Sequence, residues 1–580
     1  MNDSDHDSDH EFISKLRTIR VNRRALLKAA AATAGGAAIA AHASSVAAPP
    51  RLQAAVPGSS NLIPAGKYGS ATAGGAPKKG GTLIYGMEGP SDILDPQATG
   101  CWLTYRVTYQ IFEGLFSEDL TKIDQVAPPL VGRLAESWQL SDDKVTRTFK
   151  LRQGVKFQDG TDFNAKAALW NLQRMWDKKA SQYYDRANSY CSYVVDVIKD
   201  AQVVDDSTLK VTFTTPFAEW ERMAVQSFGE PLMISPAQAE KLGNQNFAQH
   251  PIGTGPYKVA ENVPNDHITL ERFDQYWGPA PNMDRLVFRQ LDDPSTRVAT
   301  LRKGEVDFIL APPPDSVADL QKEGFVILAS NAPHIWYFAF NLKDPIVGKD
   351  KRIRQAMIMG LDRERMCREL LKNTATPAYS MLSPATAGYD PGYKPYPYNP
   401  EAAKKLLAEA GYPQGFETTL ETSTAGSGQM IPVSMIEWIQ RDLKKIGINA
   451  KIKTYEWVSY IGMLFKGRPA GTGASQLSWG MTSNYWNDIV FRSTRQPPHG
   501  VNYGFYANPQ VDKLLDQARS EFNPTARANL YRQVDKIAMG QDAAFWPICN
   551  DLNIVVLSKK VRGFVNPPEE WFQLSTPWIA

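Results

Sequence analysis

The 580-residue sequence contains few of the side chains on which metal sites, disulfide scaffolds and hydrolytic enzymes depend. It has four cysteines and seven histidines, with no Cys-x-x-Cys pair and no His-Glu-x-x-His motif. These absences argue against a multi-cysteine zinc module and a zinc-dependent hydrolase. No phosphate-binding Gly-x-x-x-x-Gly-Lys-Ser/Thr loop and no Gly-x-Ser-x-Gly elbow is present either. We therefore expect binding rather than catalysis, without a cofactor and without a metal.

The chain also lacks an excess of charge of either sign. Its 64 lysines and arginines against 61 acidic residues give a net charge of +3, which provides no reason to expect a nucleic-acid partner. A hydrophobic share of 43% and an aromatic share of 11% are ample for packed cores. The length predicts two to four domains.

The few cysteines and histidines leave some questions open. The four cysteines allow three full disulfide pairings, and their spacing does not choose between two bonds, one or none. His334 and His499 are interpreted as solvated or internally satisfied side chains, because no second histidine lies at metal-ligand spacing.

The N-terminus has the features of an export signal. Arg23 and Arg24 precede a mildly apolar Ala/Gly-rich stretch that ends in Ala41-His42-Ala43, a small-residue cleavage site. We predict a twin-arginine signal over residues 1–43, followed by a flexible linker over residues 44–79. Retention of the signal as an anchor is the alternative. No later stretch is long and apolar enough to span a bilayer, so we expect a protein peripheral to the membrane, in the periplasm or on the cell-envelope exterior.

Helices and strands mix along the rest of the chain without a repeat. Residues 82–86 read as a buried strand, and alternation predicts strands near residues 145–151 and 209–213. Arg147 interrupts the apolar face of the first of these two, which indicates partial burial. Asn164 is expected to cap a helix.

Three Asn-Pro pairs predict helix starts in the C-terminal third of the chain. They are Asn399-Pro400, Asn508-Pro509 and Asn523-Pro524. Asparagine caps a helix well, and proline fits its first position. Together with the predicted strands, these helices indicate a large α/β protein.

Several segments, in order, carry a resemblance to one family. Residues 134–160 read LAESWQLSDDKVTRTFKLRQGVKFQDG, and residues 252–257 read IGTGPY. Further matches are Asp95-Pro96, residues 112–115 (FEGL), residues 304–307 (GEVD), Phe340-Asn341, residues 352–356 (RIRQA), Asp362-Arg363 and residues 406–412 (LLAEAGY). This series resembles the extracellular solute-binding proteins of peptide-type ABC transporters, the dipeptide-, oligopeptide- and nickel-binding group known as family 5.

The resemblance implies an α/β, two-lobed periplasmic-binding-protein type II fold with an additional subdomain in the first lobe. The expected boundaries are residues 80–117, 250–338 and 552–580 for lobe I, 118–249 for its subdomain and 339–551 for lobe II. The resemblance also implies a non-enzymatic receptor that captures a small-molecule or peptide solute by closing its lobes. Its expected partners are the permease subunits of an ABC importer with their ATPases, and a monomer is expected.

Mixtures of aromatic and polar residues mark candidate ligand contacts, because cleft ligands are held by aromatic walls and a few placed polar groups. Three regions supply such mixtures, at residues 101–105, 455–457 and 478–488. With positions suggested by the resemblance, the candidates are Trp102, Tyr105, Glu113, Asn341, Trp457, Trp479, Met481, Thr482, Ser483, Asn484, Asp488 and Tyr503. Several of them have a structural alternative, among them an ion pair of Glu113 with Arg106 and packing roles for Trp102 and Trp457.

One departure from the family pattern bears on the ligand. Peptide-binding members have an aspartate three residues after a tryptophan, and it pairs with the α-ammonium group of the peptide. Here Trp479 is followed three residues later by Thr482. Asp488 is a candidate substitute. The hypothesis from sequence is therefore a neutral, polyhydroxylated or opine-like solute, or a peptide conjugate without a clamped amine.

Two other functions compete with the receptor. A secreted hydrolase of mixed α/β fold would need a nucleophile beside a base, and no motif marks one. A solute sensor built on the same fold is the other alternative.

Overall fold

The computed structural model describes residues 76–123, 126–225, 231–426, 428–468 and 471–580. The predicted signal and nearly all of the predicted linker lie outside the described residues. Within the described ranges, no helix combines the length and apolar character that a membrane crossing requires.

Strands and helices alternate irregularly, as the sequence predicts. The strands are β1 (Thr82–Met87), β2 (Phe116–Glu118), β3 (Leu130–Gly132), β4 (Ala135–Leu140), β5 (Thr146–Leu151), β6 (Ile198–Asp205), β7 (Thr208–Phe213), β8 (Tyr257–Val263), β9 (His267–Arg272), β10 (Arg285–Gln290), β11 (Phe308–Leu310), β12 (Val326–Phe340), β13 (Ala375–Pro377), β14 (Phe416–Ser423), β15 (Ile448–Tyr455), β16 (Ala474–Trp479), β17 (Phe545–Leu557), β18 (Val561–Arg562) and β19 (Trp578–Ile579). The α-helices are α1 (Trp102–Thr108), α2 (Ala165–Trp176), α3 (Asp185–Val195), α4 (Trp220–Met223), α5 (Pro236–Leu242), α6 (Pro294–Lys303), α7 (Val317–Lys322), α8 (Lys351–Met359), α9 (Arg363–Glu369), α10 (Pro400–Glu409), α11 (Pro432–Lys444), α12 (Trp457–Lys466), α13 (Trp486–Phe491), α14 (Pro509–Ser520) and α15 (Pro524–Asp535).

Among the described residues, the largest sheet has eleven strands. Their order is β15-β14-β16-β12-β17-β11-β1-β10-β9-β8, with β13 beside β17. We call β1 and β8–β11 the first half of this sheet and β14–β16 its second half. β1 confirms the strand predicted at residues 82–86.

The long strands β12 and β17 join these two halves. They are antiparallel, with Val326 opposite Leu557 at one end and Ala339 opposite Phe545 at the other. One end of β17 pairs with β11, and the opposite end of β12 pairs with β16. The pairing of β12 with β17 shifts register between Asn331 and Ile335, so the two long strands are interrupted where they pass between the halves.

A separate antiparallel sheet, β4-β5-β7-β6, confirms the two strands predicted by alternation. Asn164 caps α2 as predicted, by accepting from the backbone amides of Lys166 and Ala167. β5 is partly buried, as expected, but Arg147 is not the cause. Arg147 is fully buried, with its Nε 2.6 Å from Glu221 Oε1 and its guanidinium 4.5 Å from the Phe213 ring centroid. The ion pair with Glu221 and the face of the Phe213 ring compensate the Arg147 guanidinium for the hydration that it loses on burial.

The Asn-Pro pairs begin helices as predicted. The side chains of Asn399, Asn508 and Asn523 accept from backbone amides in the first turns of α10, α14 and α15. Proline occupies the first turn of each helix. These local signals are strong because each one satisfies donors that a helix start leaves open.

The four-stranded sheet region also contacts the second half of the molecule. The backbone N–H of Ala218 donates to the Arg519 carbonyl at 2.8 Å. The rings of Phe217 and Tyr485 lie 4.7 Å apart, and the Arg519 guanidinium lies 5.0 Å from the Phe217 centroid. These contacts join the segment between β7 and α4 to residues 485 and 519.

All four cysteines lie within the described ranges as buried free thiols. They are Cys101, Cys191, Cys367 and Cys549. The sequence allows two disulfides, one or none, and the structure has none among these four cysteines.

Asp535, at the end of α15, gives the fold a dependence on pH. It accepts from the Ser380 hydroxyl at 2.9 Å and from the Met381 amide at 2.8 Å, and burial raises its pKa to about 7. A folded-state pKa above that of the unfolded chain gives stability that is full at low pH and is lost as pH rises through about 7. The Asp535→Asn variant should therefore lose roughly 2 kcal/mol less stability than the wild type between pH 5 and 7, in urea unfolding.

Asparagine can keep both contacts of Asp535, because its carbonyl accepts from an amide and its NH₂ donates to a hydroxyl. The exposed Asp206 is the matched control, and Asp206→Asn should leave the pH dependence unchanged. Identical pH dependence in wild type and Asp535→Asn would contradict the assignment.

Candidate functional site

The interruption between β12 and β17 places His334 inside the molecule. Only 3% of this side chain is exposed, and burial lowers its pKa below the usual value. Its Nδ1 lies 3.5 Å from Glu570 Oε1, and its ring meets the edge of Trp102 at 5.5 Å. The interpretation of His334 as solvated or satisfied is wrong, whereas His499 is exposed.

Gly428 brings the second half of the molecule close to His334. A Cβ at this position would lie 2.8 Å from His334 Nδ1 and 3.8 Å from Ser478 Oγ, and its φ is +66°. Glycine is therefore required there. Ser478 and Trp479 follow at the end of β16, where Trp479 pairs with Ile335.

An aromatic cluster forms the wall on the side of the first half. The indole of Trp571 stacks on Trp102 at 5.9 Å and on Tyr109 at 5.6 Å, with interplanar angles of 13° and 20°. Leu120 packs with the two tryptophans. Helix α1 supplies Trp102 and the C-terminal segment supplies Trp571, so residues about 470 positions apart in sequence share one wall.

Carboxylates line the same space. The segment Glu569-Glu570-Trp571 runs along it, held by a hydrogen bond from Asn553 Nδ2 to the Glu569 carbonyl at 2.9 Å. Glu570 is 3.3 Å from Arg106, which also pairs with Glu88. Burial raises the pKa of Glu569 to about 8, against smaller lowering effects of Thr482, Glu118 and Arg222.

Polar atoms without hydrogen-bond partners collect around this space. In the part of the chain that the structure describes, such buried atoms include His334 Nδ1 and Nε2, Ser478 Oγ, Trp479 Nε1, Thr482 Oγ1, Glu569 Oε1 and Trp571 Nε1. We call these six side chains the cleft polar residues. Most buried polar groups in folded proteins are satisfied, so this concentration of unsatisfied ones makes the space the candidate binding site.

The structure brings three of the sequence candidates to this space. Trp102 belongs to the aromatic wall, and Trp479 and Thr482 are cleft polar residues. Residues 118, 334 and 569–571 were missed by sequence reasoning, whereas Ser478 begins the third candidate region without having been chosen as a candidate. The succession of two acids and a tryptophan after Pro567-Pro568 is the one local signal that pointed to the last of these.

Protein contacts already engage several other candidates. The Tyr105 hydroxyl lies 3.0 Å from the carbonyl oxygens of both Pro96 and Thr99, to which it can donate. Asn341 Nδ2 donates to the Thr472 carbonyl, and the Tyr503 hydroxyl bonds the Tyr337 hydroxyl. The Asp488 carboxylate pairs with Arg492 and Arg495. These partners give the four residues structural roles, and their ligand roles stay predictions.

The remaining candidates belong to the second half of the molecule. Met481 is buried in a large apolar cluster. The Ser483 Oγ accepts from the Tyr485 amide at 3.2 Å, and Asn484 Nδ2 donates to the Ala387 carbonyl at 2.6 Å. Trp457 is half-buried beside Gly426. Their ligand roles also stay predictions.

Glu113 is buried in a network of its own. Its carboxylate lies 2.6 Å from Arg133 Nε and accepts from the hydroxyls of Thr254 and Tyr276 and the indole N–H of Trp277. The alternative pairing with Arg106 is therefore wrong, because Arg106 points to Glu88 and Glu570.

The glycines beside Thr254 explain part of the IGTGPY motif. A Cβ on Gly253 would lie 2.2 Å from the Ile111 carbonyl oxygen, and one on Gly255 would lie 2.7 Å from the same oxygen. Only glycine at positions 253 and 255 lets the backbone of the motif pass this close to Ile111. The close passage places the Thr254 hydroxyl within hydrogen-bonding distance of Glu113.

The chemistry of the site favours binding. Within the described ranges, no group of three or more His, Cys, Asp and Glu side chains is arranged to hold a metal ion. The site instead combines a stacked aromatic wall with neutral and acidic hydrogen-bonding groups, the mixture that small-molecule clefts use.

Comparison with known proteins gives a consistent result. The profile of the bacterial extracellular solute-binding proteins, family 5 (middle region), matches residues 129–500. The chain is 32% identical over 495 residues to the glutathione-binding protein GsiB of Escherichia coli (strain K12), covering 83% of this chain and 91% of that one.

Solved structures agree with the fold. The ABC transporter-associated periplasmic binding protein DppA from Helicobacter pylori, in complex with the peptide STSA, superposes with a TM-score of 0.74 at 24% identity, covering 87% of this chain and 98% of that one. AgaA from A.tumefacien R10, in complex with agropinic acid, gives 0.69 at 24% identity, covering 86% and 99%. The mixed α/β architecture therefore has the two-lobed type II fold that the sequence resemblance implied.

Proposed function

Because the chain belongs to the family 5 bacterial extracellular solute-binding proteins, we propose that its two lobes close on a small solute and deliver it to the permease of an ABC importer. The observation that carries this proposal is the set of cleft polar residues. Unsatisfied donors and acceptors come from β16 and the residues after it, from the C-terminal segment at residues 569–571 and from the interruption of β12. A solute bound there would contact both lobes and stabilise the closed form.

We propose lobe boundaries that follow the sequence assignment. Residues 80–117, 250–338 and 552–580 contain the first half of the sheet, and residues 339–551 contain the second half. Residues 118–249 contain the four-stranded sheet. The crossing of β12 and β17 between these parts supports a hinge there, since a few residues at element ends can absorb a domain rotation.

The solute is proposed to be a small peptide, a peptide conjugate or an opine-like compound. Relatives with this fold are named for glutathione or were solved with a peptide or with agropinic acid. The stacked wall of Trp102, Tyr109 and Trp571 suits a flat or apolar part of such a ligand.

We further propose that the protein acts outside the cytoplasm as a monomer, exported by the twin-arginine pathway. Arg23 and Arg24 in their sequence context support this route. Nothing in the comparisons favours the hydrolase alternative. A solute sensor would use the same site, and an interaction with permease subunits would distinguish a transport receptor from it.

Native mass spectrometry of the purified protein tests the proposal. We expect a complex heavier than the chain by the mass of a small solute, and free solute after denaturation. Adding the released solute back to ligand-free protein should change the tryptophan fluorescence without forming a product. Conversion of the solute into a product would support the hydrolase instead.

A further inference from the structure

The subdomain, residues 118–249, is joined by the chain to lobe I alone, because both of its ends continue into lobe I. A buried network also fixes it there. Arg133 of the subdomain has its Nε 2.6 Å from Glu113 Oε1 of lobe I, and its Nη2 donates to the Tyr276 hydroxyl at 2.7 Å. The Arg152 guanidinium lies 4.5 Å from the Trp277 ring centroid. Charge-assisted contacts of this kind are strong, so we expect the subdomain to move with lobe I as one body.

The subdomain also touches lobe II, although no part of the chain connects the two directly. The contact is made by residues 217–219, which precede α4. The Phe217 and Tyr485 rings lie 4.7 Å apart, and both side chains are buried, with 0% and 3% exposed. The Ala218 amide donates to the Arg519 carbonyl at 2.8 Å. This part of the contact is therefore as dry as a protein interior.

An ion pair lies at the edge of the same contact. Arg527 Nε of lobe II is 3.6 Å from Glu219 Oε1, and the two side chains are 15% and 6% exposed. Arg527 is the one ion-pair partner of Glu219 in the described residues. Its Nη1 also donates to the Glu521 carbonyl at 2.8 Å, which holds the guanidinium in place. A carboxylate this deeply buried depends on its counter-charge.

A second cation of lobe II extends the contact to α3 of the subdomain. The Arg495 guanidinium lies 5.6 Å from the Tyr193 ring centroid. It is oriented by Asp488, whose Oδ1 is 3.0 Å from Arg495 Nε. We call residues 193 and 217–219, with residues 485, 495, 519 and 527 opposite them, the subdomain contact.

Resting on the proposed receptor function, we propose that the subdomain contact sets the affinity for the solute through lobe closure. Since the subdomain moves with lobe I, opening of the lobes must break this contact. The contact therefore stabilises the arrangement in which both lobes meet across the solute. A solute that binds only this arrangement gains affinity in proportion to its population. Glu219 and Arg527 are thus positioning residues, which act through the lobes.

Charge reversal tests this role. The probe is the small-molecule fraction released from the wild-type protein on denaturation, titrated into solute-free protein and followed by solution X-ray scattering. We expect the radius of gyration of the wild type to fall as the lobes close. Glu219→Arg and Arg527→Glu should each need at least about tenfold more of this fraction for half of the fall, because like charges then meet in a dry contact. The double variant restores opposite charges and should recover to within about threefold of the wild type.

The kinetics separate positioning from a merely structural role. Stopped-flow tryptophan fluorescence should show faster dissociation of the same fraction from each single variant, with association changed much less. This pattern is expected because closure follows the encounter and governs release. A loss of folding stability alone would lower the Tm without changing the dissociation rate of the folded protein.

Two further variants support the comparison. Glu323→Arg is the matched control, because its partner Arg302 lies 2.6 Å away within lobe I, and it should leave the titration midpoint unchanged. Arg519→Ala removes a guanidinium 5.0 Å from the Phe217 centroid. It should raise the midpoint about threefold, and it decides the matter if a charge-reversed variant does not fold.

The other outcomes each overturn a defined claim. Wild-type midpoints in both single variants and in Arg519→Ala would refute the role of the subdomain contact and leave the receptor function intact. A double variant no better than the single ones would refute the pairing of Glu219 with Arg527. If the released fraction did not compact the wild type, the proposed receptor function would fail, and the role of the contact with it.

Discussion

The Arg174→Ala variant is expected to lose about 3–5 kcal/mol of unfolding free energy. Arg174 is fully buried in α2, with its Nη2 2.6 Å from Asp95 Oδ2. It also donates to Gln97 Oε1 at 2.7 Å and to Asn244 Oδ1 at 2.9 Å. Removing the guanidinium would leave the Asp95 carboxylate buried without a counter-charge, which costs more than the ion pair itself contributes.

Chemical denaturation followed by circular dichroism would measure this loss. The pair Lys156–Asp162 is the control, because its charged atoms are also 2.6 Å apart but both side chains are largely exposed. Lys156→Ala should cost no more than about 1 kcal/mol, since water and salt screen an exposed pair. If the two variants lost similar amounts of unfolding free energy, burial of Asp95 would not be the cause of the loss in Arg174→Ala.

The Trp571→Ala variant is expected to weaken solute binding by about 2–4 kcal/mol, or roughly 30- to 1000-fold. Trp571 is the middle ring of the stack with Trp102 and Tyr109, and its Nε1 is a cleft polar atom. Truncation would remove an aromatic surface and one hydrogen-bond donor at once. The affinity would be measured by calorimetry with the solute released from the wild-type protein.

Trp438→Ala provides the matched control for this variant. Trp438 is half-buried on α11, where the guanidinium groups of Arg365 and Arg441 lie 4.8 and 5.5 Å from its ring. Its truncation should leave the affinity unchanged. If Trp571→Ala bound the solute as tightly as the wild type, the aromatic wall would have no role in binding.

Local signals in the sequence were sufficient for much of the fold. The Asn-Pro pairs began α10, α14 and α15, and alternation found β5 and β7, because caps and periodicity act over a few residues. The family resemblance supplied the topology. Arg147 was misjudged because its compensation by Glu221 and aromatic rings is a tertiary contact.

The site could be predicted from sequence only in part. Trp102, Trp479 and Thr482 were found because aromatic and polar residues cluster locally around them. Glu118 and residues 569–571 were missed because they lie far from Thr482 and His334 in sequence and approach them only in the folded molecule. The neutral-ligand hypothesis rests on the threonine at position 482 and stays a prediction.

A crystal structure of the protein with its copurified solute tests the central claim most directly. We predict that the solute lies between the two lobes, with one face on Trp571 and polar contacts to Thr482 and Glu569. A solute bound elsewhere on the molecule, with the cleft polar residues in contact only with protein or water, would contradict the account.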